Sequence, residues 1–313
     1  MDVKGNTIII PQFKEADDFY EGRARVKLAG TYGFGFIDEA GQVVIPYRFH
    51  HAFNFQNGVA HVQVGNRQGF IDRGGQIVVP LTFAADTNCL AAHASEGLIA
   101  ANLGGLWGYI DLNGQTKIPP KFDRGAEDFS DGLALVHSSE NSKSGYIDHT
   151  GRFVISSTND YGDFSEGLAR VWQSIGLCLT ISSPCKTGHG FIDKSGKLVI
   201  PAEEGRSCSK FVDGLADCLR PSEGYGFINR QGQWVIAPHF SGVKGFSEGL
   251  AAATIKESGK YLTGFIGQDG QWVIHPIFTK ASSFSNGLAY VEVDQRWGYI
   301  DLKGHYIRGP SEF

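Results

Sequence analysis

The chain is 313 residues long, with a formal net charge of −5, 19% charged residues and 42 glycines. No run of Lys and Arg accompanies that balance, which argues against nucleic acid as the main partner, because binding a phosphate backbone needs clustered cations. No apolar stretch approaches the ~20 residues needed to cross a bilayer, and the start "MDVKGNTIIIPQFKE" lacks a basic, then apolar, leader pattern, so a cytoplasmic chain with no membrane span is expected.

Taken in chain order, the elements repeat. An N-terminal partial unit (7–34) holds "TIIIPQF" and "FYEGRARV". The core "G-aromatic-I" then opens a unit near residues 35, 69, 108, 145, 190, 226, 264 and 298, at steps of 34 to 45 residues. A glycine follows within a few residues, then an apolar run usually ending in Pro, such as "QVVIP" or "QWVIAP". A third element completes each of the first seven of these units: "FQNGVAHV", "ASEGLIAA", "FSDGLALV", "FSEGLARV", "FVDGLADC", "FSEGLAAA" and "FSNGLAYV"; the unit at 298 is a hairpin without it. The longest step reflects an insertion over 172–189.

Each unit reads as β-structure. "F-I-D-x-x-G-x-x-V-I-P" is two short aromatic and β-branched runs joined by a loop with Asp at its start and Gly at its end. Asp favours the first position of a type I turn, and Gly supplies the positive φ of the bulge that follows. The Pro cannot donate to a ladder, so pairing is expected to stop there. "G-L-A-x-V" gives a third strand. Helix is expected only as single turns around "FSEG". The carboxylates Asp38, Asp72, Asp111, Asp148, Asp193 and Asp301, and the residue before "GL" such as Glu166 and Glu248, are explained by these turns.

This array resembles the WG-repeat proteins, whose repeat runs Trp-Gly-Phe-Ile-Asp through Val-Ile-Pro to Gly-Leu-Ala. The signature dipeptide is intact at Trp107-Gly108 and Trp297-Gly298. The resemblance implies a bacterial β-repeat module that serves as an interaction or scaffold element, with no shared catalytic residues. One unit buries too little surface alone, so neighbours must stack. The fold expected is all-β: eight tandem repeats of a hairpin plus a third short strand, stacked as one array. A propeller-like ring and an open superhelix remain equally open.

Function is sought where the copies disagree. The variable positions of the third element read Arg25/Lys27, His61/Gln63, Ala100/Asn102, Leu135/His137, Arg170/Trp172, Asp217/Leu219, Ala252/Thr254 and Tyr290/Glu292. They form either a ligand surface or an ordinary solvated face. Arg170, Trp172, Tyr290, His61, Asp217, Arg25 and His137 are the ligand-binding candidates, since Arg and aromatics make strong anchors. The insertion adds Cys178, Cys185 and His189. With Cys208 and Cys218 its spacing matches no standard zinc pattern; independent thiols, one disulfide and a metal site are the alternatives. Five cysteines in all suit a reducing compartment. "PAEEGRSC" (201–208) puts Glu203, Glu204 and Arg206 where other units carry a core aromatic, marking either a cleft or an adjustment to the insertion. Nucleotide-binding and hydrolase motifs are absent, and no cofactor or metal is expected. The reading is a module that binds a protein or other extended ligand. The alternative is an enzyme or small-molecule binder with its site in a central funnel or concave face.

Overall fold

A computed structural model describes residues 6–84, 93–139, 144–157, 161–175 and 186–312. Among these residues there is no helix. The strands form eight antiparallel sheets, or blades, over residues 13–49, 51–84, 98–122, 125–157, 161–200, 207–240, 242–278 and 280–312. Blade 3 has three strands among the described residues; every other blade has four, hydrogen-bonded in chain order. Residues 7–158 make one compact unit with blades 1–4, and a second unit is built on residues 159–313 with blades 5–8.

The expected hairpin forms the last two strands of each blade in sheet order. In blade 2, Arg67–Asp72 pairs with Ile77–Ala84. Its turn is closed by Asp72, whose Oδ1 accepts the N–H groups of Gly74 and Gln76, both at 2.9 Å. Gly75 takes φ 82°, the left-handed conformation for which glycine is suited. The signature glycine has a different cause. At Gly264 an added Cβ would lie 2.4 Å from the carbonyl oxygen of Ile274. The pairing shifts register between Thr263 and Phe265 there, a bulge that brings the two backbones together.

Three features depart from the sequence expectations. The "G-L-A-x-V" strand pairs with the hairpin that follows it, as in Val171↔Gly190 and Val291↔Gly298. A further short strand, such as Gly242–Val243, pairs on its other side. "FSEG" is no helical turn: Ser247 and Leu250 exchange backbone hydrogen bonds, with Glu248 at φ 54° and Gly249 at φ 81°. Two consecutive positive φ values define the type I′ turn that suits a tight hairpin. Nor does pairing stop at Pro. Val43–Phe49 runs through Pro46, because it is the last strand in the sheet order and the missing N–H belongs to an unpaired edge.

The core lies between successive blades. Phe34, Phe36, Ile45 and Phe49 of blade 1 pack on Ala52, Phe55, Ala60, Val62 and Ile71 of blade 2. Equivalent clusters join blades 3 and 4, 5 and 6, and 7 and 8. Each buried Phe contributes ~2 kcal/mol of hydrophobic free energy, and the stack supplies what one blade lacks. Turn glycines dock on the preceding blade: Gly75 faces Ile45 and Gly304 faces Ile274. At the first blade Ile9 takes that role against Gly41. No helix of the described residues is long and apolar enough to cross a membrane.

Candidate functional site

The variable residues of the second strand lie opposite the buried aromatic of the third: Arg25 pairs with Phe36, His61 with Phe70, Arg170 with Phe191, Asp217 with Phe227 and Ala252 with Phe265. Residues directly opposite in a sheet share a face. These aromatics in turn meet a Phe of the following blade, as Phe36 meets Phe55 and Phe265 meets Phe284, at 4.9 and 4.6 Å between ring centres. The variable positions therefore line the clefts between blades, not an open sheet face.

Within a cleft the first strand, or the residue that directly follows it, answers the second. Asp17 forms an ion pair with Arg25 at 2.9 Å. Phe53 stacks on His61 with ring centres 5.2 Å apart. Ser209 donates to the Asp217 carboxylate at 2.8 Å. Gly162 leaves room beside the Arg170 side chain. The two arginines also make the same bond, Arg25 Nη1 donating to the carbonyl of Ala52 and Arg170 Nη1 to that of Cys208, at 2.7 and 2.9 Å. Each reaches the first strand of the next blade.

His61 is buried between Phe53 and Phe70, with Nε2 3.0 Å from Gln68 Oε1. Burial drives its pKa down to about 4, against the opposing bond to Gln68 and helped by His93. Burial likewise pushes the Asp217 carboxyl above the usual range, opposed by the Ser209 hydroxyl.

The cleft between blades 7 and 8 differs. Lys244 stands where blade 1 has Asp17 and blade 2 has Phe53, and the residue opposite is Ala252. A cavity of about 350 Å³ opens there, lined by Lys244, Ala252, Thr254, Thr263, Lys280 and small neighbours. Thr254 Oγ1 and Thr263 Oγ1 are 2.9 Å apart, and Thr263 is buried. Lys280 is paired with Glu292 at 2.9 Å. Lys244 is exposed and has no acidic partner among the described residues. Sequence reasoning missed both lysines because the short first strand, which carries Lys280 and directly precedes Lys244, has no detectable pattern of its own; the pattern "x-x-F" ahead of the "S-E-G" turn locates it.

The remaining candidates are dispersed. Trp172 is 40% exposed and packs edge-on to His189, ring centres 4.7 Å apart. His189 Nδ1 accepts the backbone N–H of Cys208 at 2.8 Å. His137 meets Ser144 Oγ at 3.1 Å. Tyr290 donates to Glu292 at 2.8 Å, and burial with that bond pushes its hydroxyl pKa up to about 12. Arg170, Asp217 and Tyr290 sit in separate blades, and none lines the cleft of blades 7 and 8. Cys178 and Cys185 lie outside the described residues. Cys208 and Cys218 form a disulfide. Arg206 replaces the core aromatic and is fully buried, its guanidinium bound to the carbonyls of His189 and Pro201 and to the Glu203 carboxylate, so it fills the gap instead of opening a cleft. No group of three or more His, Cys, Asp or Glu among the described residues is placed to hold a metal.

Meandering four-stranded blades stacked through their faces define a β-propeller type of repeat protein. The chain belongs to the WG-containing repeat family, whose sequence model matches residues 1–32, 34–67, 69–107, 107–136, 145–171, 190–203, 225–261 and 264–297. Among solved structures, a eukaryotic initiation factor is similar in fold, with a TM-score of 0.62 and 11% identity over 95% of this chain and 87% of that one. The computationally designed protein Ika8 scores 0.49, with 14% identity over 92% and 93% of the two chains. BamB from Moraxella catarrhalis scores 0.44, with 12% identity over 97% and 93%. A search of curated protein sequences returns no match.

Proposed function

We propose that the chain is an interaction module that holds a protein or other extended ligand without chemistry. The observation that carries this reading is the complementarity inside the clefts. Groups that stood out in the sequence as ligand anchors are engaged within the protein: Arg25 and Arg170 on carbonyls of the next blade, and His61 between two Phe rings of its own blade. The recurring Asp residues close turns. Variation at the cleft positions then tunes local chemistry while the frame stays constant, which is how stacked repeats diversify their binding surfaces. Cross-linking of the tagged chain in its source cells, followed by titration of the recovered partner with purified protein, tests it. Saturable one-to-one binding without turnover is expected. Turnover of a substrate that His61→Ala or Arg170→Ala abolishes, with the fold intact, would overturn it.

A further inference from the structure

We propose that the cleft between blades 7 and 8 is a binding site for a carboxylate, presented as an acidic side chain by a protein partner. The inference rests on the interaction reading above and names the chemistry one cleft recognises. Three observations converge. The first is the broken pairing: Asp17 answers Arg25, Phe53 answers His61 and Ser209 answers Asp217, but Lys244 faces the methyl group of Ala252. An ammonium group with no counter-charge beside an open cavity is the complement of an anion.

The second is the donor set. Of the two hydroxyls, Thr254 and Thr263, one donates to the other across 2.9 Å, so the accepting hydroxyl keeps its own hydrogen free. That hydrogen and the Lys244 ammonium give one neutral and one charged donor, a match for the two oxygens of a carboxylate. The third is charge balance. Lys280 also lines the cavity, but Glu292 neutralises it at 2.9 Å. One net positive charge remains, which suits a carboxylate monoanion; a phosphate dianion would leave charge uncompensated beside Glu292. The cavity of about 350 Å³ has room for an acidic side chain. Blade 4 carries Leu135 at the position of Ala252, so a leucine there is compatible with the blade.

The test uses the full chain with threonine methyl groups labelled for NMR, titrated with the α-amide of N-acetylglutamate, its uncharged glutamine counterpart and inorganic phosphate. The expected result is saturable shifts of the Thr254 and Thr263 methyls with the glutamate compound and none with the glutamine one. Affinity should fall at least tenfold in Lys244→Ala, with unchanged melting, and in Ala252→Leu. Lys244 is exposed, so its variant keeps the test open should Ala252→Leu fold poorly. Unmoved threonines, undiminished binding in the two variants, or tighter binding of phosphate than of the glutamate compound would overturn the assignment. A partner that binds both variants as it binds the parent chain would also overturn it, while leaving the interaction reading standing.

Discussion

The carboxylate of Glu166, on the type I′ turn of blade 5, accepts the backbone N–H of Gly214 on the corresponding turn of blade 6, with Oε2 at 3.0 Å and Oε1 at 3.3 Å. Glu21 does the same for Gly58, Glu96 for Gly132 and Glu248 for Gly287. A second bond runs beside it, Ser165 Oγ donating to the carbonyl of Phe211 and Ser247 Oγ to that of Phe284. The motif "FSEG" thus makes a turn and fastens it to the next turn. Glutamate is a poor choice for left-handed φ, where Asn or Gly costs less, and the inter-blade bond explains its use.

Glu166→Ala should therefore lower stability by ~1 to 2 kcal/mol, between the worth of an ordinary hydrogen bond and that of one to a fully buried charged acceptor. Alanine keeps the Cβ and hence the backbone strain, so the change isolates the bond. Glu166→Asn should lose less, since asparagine relieves part of the strain, as Asn57 and Asn286 do at equivalent turns. Urea unfolding of the three proteins checks the order; an alanine variant as stable as the parent would refute the staple.

Two glycines of blade 7 should respond differently to alanine. At Gly249 φ is 81° and nothing lies within 4 Å of an added Cβ, so the cost is backbone strain alone, ~1 to 2 kcal/mol. At Gly264 the added Cβ would lie 2.4 Å from the Ile274 carbonyl oxygen and 2.7 Å from Pro276 N, both backbone atoms. Gly264→Ala should then cost several kcal/mol, of the order of a severe overpacking, and separate the third and fourth strands. Thermal melting of both variants ranks them, and amide exchange in blade 7 shows whether those two strands part.

The repeat, its hairpin and its turn chemistry were legible because each uses residues with a narrow conformational meaning: Asp72 at a turn start, Gly75 at positive φ, alternating Ala and Val on a strand. The first strand was not, since two-residue strands such as Gly242–Val243 and Lys280–Ala281 have no period to detect. Missing that strand hid the site. Lys244 acquires meaning only once it is seen opposite Ala252. Arg170 looked like a free anchor because sequence shows its charge and not the carbonyl of Cys208 that it meets. Arg206 likewise signalled a lost aromatic, whereas its bonds to main-chain carbonyls fill that place.

His61 should make stability fall between pH 6.5 and 4. Its folded pKa of about 4 lies below its ordinary 6.5, so the unfolded chain takes up a proton in that window that the folded chain does not. The contribution present above pH 6.5 is roughly 3 kcal/mol, and it declines as pH falls toward 4. A second decline belongs below the ordinary carboxylate range. There Asp148 and Asp193, held low chiefly by the hydroxyls of Thr150 and Ser195, take up protons and give up their turns. Histidine NMR titration should return a midpoint near 4 for His61; a midpoint near 6.5 would mean that the ring is not enclosed by Phe53 and Phe70.

The disulfide of blade 6 sits where four other blades place an alanine opposite a valine. Cys208 and Cys218 are cross-strand partners, as are Ala16 and Val26, Ala52 and Val62, Ala126 and Val136, and Ala281 and Val291. The double variant Cys208→Ala, Cys218→Val therefore restores the frame's own pair and leaves the packing of a neighbouring blade. What it removes is the cross-link, which spans 10 residues and is worth ~2 to 3 kcal/mol by its constraint on the unfolded chain. The oxidised parent should be more stable than the variant by that amount. The parent in excess reductant should match the variant to within ~1 kcal/mol, the usual limit for volume-conserving exchanges. Urea unfolding with and without reductant, beside peptide mapping of the oxidised chain, makes the comparison. Equal stability of the oxidised parent and the variant would mean that the bond holds nothing the ladder does not already hold, and peptide mapping that finds both thiols free would remove the cross-link from blade 6 altogether.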